Sequence, residues 1–262
     1  MAMTKRKGPD TLDKTVTYLA KRDGIDKASS VLKVIRYSTK LALATALKND
    51  SGDLAVRLKE FETSIGTSRK AYRLGKWLSD LNTLRNTPVL TKAGSLELLA
   101  SGGEGVYYFV EQLTWLVKAG LLDKKYAKRF STISAWAELV GYVGNVTLNG
   151  LRIAAALERE LMLTQELVRR KKEDDTMPDD VHLIKEVQAL RARRLLRTLA
   201  VVQDLSDALM AVNDVTDGRS PMNSSAVLSV CGLTSACISV HKNWPGAQEP
   251  PLAKFPGSAF NV

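Results

Sequence analysis

From Ser220 to Val240 the chain runs 21 residues without a charged side chain, closed by Arg219 on one side and His241-Lys242 on the other. Backbone polar groups in so apolar a stretch must be satisfied within the segment, and a helix does that. A helix of this length is about 30 Å long, the thickness of a bilayer's hydrocarbon layer. Six of the residues are Ser. A membrane span is the preferred reading, and a buried helix of a bundle is the alternative. The rest of the chain agrees with a helical fold, because no stretch alternates apolar and polar residues for long. We expect an all-α protein, a multi-helix membrane-associated bundle with amphipathic N-terminal helices and one or more membrane-embedded helices toward the C-terminus.

Charge divides the 262 residues unevenly. Up to Lys92 there are 19 Lys and Arg against 9 Asp and Glu, which is the whole net charge of +10; from Ala93 onward each sign counts 19. Such asymmetry calls for an anionic partner for the first third, nucleic acid or an anionic lipid surface. We therefore separate a basic amphipathic region, 1–92, from a membrane-associated helical region, 93–262, with an exposed charged loop near 169–180.

Helical spacing places Leu12, Val16 and Leu19 on a first helix, with a turn at Asp23-Gly24. A second helix carries Ile25, Ala28, Leu32, Ile35, Thr39 and Ala42, and Asn49-Asp50-Ser51-Gly52 breaks it. The next runs from Asp53 to Arg85 and stops before Pro88, but its apolar face changes near Arg73–Gly75. Gly102-Gly103-Glu104-Gly105 reads as a flexible joint. Between Ser131 and Leu151 the single charge is Glu138, and Gly141, Gly144 and Gly150 permit close approach of another helix. Asp179 or Asp180 can cap the helix running toward Gly218, and the Pro-rich tail after Trp244 is a loose surface segment.

The stretch SRKAYRLGKWLSDL, Ser68 to Leu81, bears most directly on function. Arg69, Lys70, Arg73 and Lys76 stand among Tyr72, Leu74, Trp77, Leu78 and Leu81. The bland reading is the outer side of a bundle helix. The lipid reading sets the cations on headgroups while the Trp, Tyr and Leu side chains sink to the acyl boundary. Each cation would contribute roughly 1 kcal/mol near an anionic leaflet, and each deeply buried large side chain roughly 1.5–3 kcal/mol. Nucleic acid is disfavoured, because Leu offers nothing to bases and no recognised motif accompanies the charge. Cys231 and Cys237 read as packing residues of a reducing compartment, and His182 and His241 lack metal-ligand spacing. There is no Gly-rich phosphate loop, HExxH motif or nucleophile elbow. No catalytic residue, metal or cofactor is expected.

Two stretches resemble the peroxin-11 family of peroxisomal membrane proteins. One is DKTVTYLAKRDGIDKASSVLKVIRYSTKLA, similar to the family's Asp-Gly-x-Asp-Lys turn between amphipathic helices. The other is SRKAYRLGKWLSDLNTL, similar to its Ser-Arg-Lys…Arg-x-Gly-Lys-aromatic segment. The resemblance implies a peroxisomal membrane location and an amphipathic helix inserted in the cytosolic leaflet. It further implies elongation and tubulation of the membrane, followed by division through a fission adaptor and a dynamin-related GTPase. The implied membrane-binding positions are Arg69, Lys70, Arg73, Lys76 and Trp77, with Leu74, Leu78 and Leu81 beside them. Anionic phospholipid and further copies of the chain are the implied partners. A pore or metabolite conduit is the alternative function, with Glu111 and Glu138 lining the path.

Overall fold

The structure, a computed structural model, describes residues 10–20, 23–49, 52–88, 90–172 and 179–244. The basic N-terminal tail, the Pro-rich C-terminal tail and the centre of the charged loop, 173–178, lie outside the described residues. Among the described residues eight α-helices run as α1 Thr11–Ala20, α2 Asp23–Ala44, α3 Asp53–Tyr72, α4 Trp77–Asn86, α5 Lys92–Lys118, α6 Ala127–Lys172, α7 Asp179–Val215 and α8 Ser225–Asn243. A short 3-10 turn, Lys124–Tyr126, joins α5 to α6. The chain is all-α, and among the described residues α8 is the one helix long and apolar enough to cross a membrane. That helix starts five residues later than the uncharged run, because 220–224 form the turn leading into it.

The Asp53–Arg85 stripe is two helices. α3 ends at Tyr72, and Arg73 to Lys76 form a turn in which Gly75 adopts φ 76°. Only glycine takes that left-handed conformation without steric cost, so the shift of the apolar face in the sequence marks a change of helix axis.

The glycines at 102, 103 and 105 are not a joint. They lie inside α5, which starts from a cap in which the Thr91 hydroxyl accepts from the Gly94 amide at 2.9 Å. A Cβ on Gly103 would collide with the backbone of Gly141, and one on Gly144 would collide with Ala100. These residues are small because α5 and α6 cross there at backbone distance, which consumes the small-residue face of Gly141 and Gly144 within the chain.

Beyond that crossing α6 pairs with α7 along a long antiparallel hairpin. Leu163, Val187 and Leu190 form its buried apolar cluster, with Ala156, Leu167 and Leu183 packed around it. Arg159–Glu186 at 3.3 Å and Arg191–Glu160 at 2.7 Å tie the flanks. At the other end α8 packs on α2 and α7. Gly232 admits the Tyr37 ring, which a Cβ would strike. The Lys33 ammonium on α2 donates to the Asp207 carboxylate of α7 at 3.0 Å and to the Ser235 hydroxyl of α8. The N-terminal helices are thus fastened onto the C-terminal ones: Arg36 of α2 also meets Glu62 of α3 at 2.8 Å, and Arg85 of α4 holds Asp10 and Asp13 at the start of α1.

Polarity is partly inverted relative to a water-soluble bundle, although many charges remain on the surface. Among the described residues, fifteen polar or charged residues are buried against fourteen apolar ones, while Leu54, Phe61, Phe109, Trp136, Val143 and Val230 project outward. The informative part is the inside, since charged side chains are rarely fully buried in a soluble fold unless paired.

Candidate functional site

The polar interior opens into a cavity of about 500 Å³ between α2, α3, α5, α6, α7 and α8. The four cations singled out in the sequence line it. Helical geometry explains why. Glu62, Ile65, Gly66 and Arg69 recur at spacings of three and four, which places them along the one buried face of α3. Arg73 and Lys76 follow in the turn that carries the chain over α5.

Glu111 of α5 is their main counter-ion. It receives Arg73 at 2.9 Å and Lys70 at 3.2 Å, and the Tyr107 hydroxyl donates to it at 3.1 Å. Arg73 also donates to the Tyr107 hydroxyl, and Lys76 to the Tyr108 hydroxyl, both at 2.8 Å. Burial alone would raise the Glu111 carboxyl, but Arg73 and Lys70 outweigh it and hold the group at about 2. Arg69 is 7% exposed and its Nε meets no partner among the described residues. Burial, with Arg73 next to it, brings that guanidinium down to about 10.

Across the cavity stand Glu138 of α6 and Asp204 and Asp207 of α7. Glu138 accepts the Tyr142 hydroxyl at 2.6 Å, yet burial pushes its carboxyl up to about 7. Burial does the same for Asp204, also to about 7. The cavity lining carries both signs: Glu104 and Glu111 stand with the cations of 69–76, and Lys33, paired with Asp207, and Lys242 stand with the acids of α7.

The apolar members of the Ser68–Leu81 stretch point the other way. Leu74 is 59% exposed, Leu81 45% and Tyr72 42%. Trp77 and Leu78 are half-buried, with the Trp77 ring set edge-on to Phe109 at 5.5 Å. The nine residues therefore do not act as one face. Arg69, Lys70, Arg73 and Lys76 direct their charges to protein partners and the cavity rather than to a headgroup layer, because α3 packs on α5 through its polar side. Lys33, Arg36, Tyr107, Tyr108 and Asp207 join the site without having been singled out. Lone charges within otherwise apolar stretches were their one signal, and it pointed to Glu111 and Glu138 alone.

Comparison with known proteins places the chain. Residues 12–244 match the family described as Peroxisomal biogenesis factor 11 (PEX11). The chain belongs to that family. It is 42% identical over 246 residues to Peroxisomal membrane protein 11A of Arabidopsis thaliana, covering 92% of this chain and 96% of that one. It is 46% identical over 235 residues to Peroxisomal membrane protein 11-3 of Oryza sativa subsp. japonica, covering 90% and 89%. Similarity extends to Peroxisomal membrane protein PMP30B of Candida boidinii, at 24% identity over 85% of this chain and 91% of that one. No solved structure matches. The family assigns the chain to peroxisome biogenesis and to the peroxisomal membrane.

Proposed function

We propose that this protein elongates and tubulates the peroxisomal membrane ahead of division, by sinking the outer apolar side of α3 and α4 into one leaflet. The observation that carries this reading is the outward set of Tyr72, Leu74 and Leu81, backed by Trp77 and Leu78, while Lys70 and Arg73 turn inward to Glu111. Shallow insertion enlarges the headgroup area of one leaflet and favours positive curvature. The candidate span α8 anchors the wedge, since α2 holds both α3, through Arg36–Glu62, and α8, through Lys33 and Tyr37. Anionic phospholipid is the target surface and several copies act together. A fission adaptor and a dynamin-related GTPase complete division downstream. No step requires an enzymatic site.

The test uses full-length protein on giant vesicles containing anionic lipid. Tubules are expected at high coverage, and Leu74→Gln/Leu81→Gln is expected to suppress them while α-helical content stays the same. Equal tubulation by that variant would overturn the reading.

The cavity favours a second reading, a conduit for polar solutes, because Glu111 and Glu138 both line it. Solute flux through reconstituted protein, reduced by Glu138→Ala, would support it; an unchanged leak would exclude Glu138 from any path.

A further inference from the structure

We propose that the cavity is a binding site for a phosphate monoester, with Arg69 as its principal counter-ion and Lys76 as the second. A guanidinium withdrawn from water is costly unless paired. Arg69 is 7% exposed, lines the cavity, and has neither a hydrogen bond from its Nε nor a carboxylate within 4.0 Å among the described residues. The nearby acid cannot serve it, since Glu111 is already shared between Lys70 and Arg73. Lys76 is the weaker case: among the described residues it donates only to the neutral Tyr108 hydroxyl and has no carboxylate within 4.0 Å, although Glu104 and Asp80 are near enough to act on its charge.

Two cations that line the cavity with no direct ion pair among the described residues suit a group carrying between one and two negative charges, which is the charge of a phosphate monoester at neutral pH. A guanidinium fork and a lysine ammonium are also the donors such a group takes most readily. The volume of about 500 Å³ admits more than the bare anion. The acids that share the lining, Glu104 and Asp207 among them, limit the negative charge that fits, so a single phosphate with a neutral or cationic remainder is accepted and a polyphosphate repelled. A soluble phosphate ester and a phospholipid headgroup share this chemistry.

The test uses the full chain in neutral detergent. Its thermal midpoint is followed with inorganic phosphate, glycerol 3-phosphate or dioleoyl phosphatidate in mixed micelles, each against chloride at equal ionic strength. A saturable rise in the midpoint is expected, with at least tenfold weaker binding in Arg69→Met and Lys76→Gln. A rise with the soluble esters assigns a metabolite source, and a rise with phosphatidate alone assigns a headgroup. In the absence of phosphate, Arg69→Met is expected to melt no lower than the parent, because it removes an unpaired buried charge. A lower midpoint or failure to fold would make Arg69 a structural residue and overturn the proposal, as would the lack of any phosphate effect. Tubulation is read separately, so either proposal can fail without the other.

Discussion

Glu111 sits between Lys70 and Arg73, and its loss would strand two interior cations at once. Glu111→Gln is expected to destabilise the protein by about 3–5 kcal/mol, measured by denaturant unfolding in detergent. The same carboxyl sets an acid limit. Its pKa falls from 4.5 to about 2 on folding, so its contribution is complete above 4.5 and is lost as pH drops toward 2. Glu138 behaves oppositely. Its pKa rises from 4.5 to about 7, so the folded state binds the extra proton between those values and stability declines as pH climbs through that window. Glu138→Gln should flatten part of that decline in a pH series of thermal midpoints. Asp80 and Asp204, both raised to about 7 by burial, keep much of the remainder.

Between elements, the fold depends on a few positions where size rather than hydrophobicity decides. Gly232 faces the Tyr37 ring with no room for a methyl group. Gly232→Leu should push α8 off α2 and lower the thermal midpoint, and Tyr37→Ala in the same chain should restore part of the loss; no restoration would mean the two do not meet. Gly144→Leu should cost about 1–3 kcal/mol or more, since the obstruction at Ala100 is backbone and cannot swing aside. These positions also show what sequence reasoning could reach. The place of the break between α3 and α4 was legible in the stripe that jumps to a new angle near Gly75, but its nature was not, because a kink and one helix meeting two surroundings in succession leave the same pattern. The α5 glycines were not, because a turn and a close helix crossing call for the same residue. Nor was the direction of Arg69 and its neighbours: periodicity fixes which side chains share a face, but not what that face meets. The Lys33–Asp207 pair spans 174 residues, and nothing local in a single chain announces it.

For the whole molecule, partly inverted polarity sets the expectation that the medium, not an internal apolar core, holds the outer surface. In alkaline carbonate the protein should stay with the membrane pellet, and removal of 216–262 should release a large fraction of it. Full release of the intact chain would return the outward leucines to water and leave the partial inversion without a cause. Of the helices, α6 gives the molecule its shape. It is continuous for 46 residues, about 69 Å, more than twice the hydrocarbon thickness of a bilayer. A rod that long has a heading. Copies lying side by side would align like logs on a raft, and a raft rolls up across its logs far more readily than along them, so the long axis of the protein would choose the axis of the cylinder.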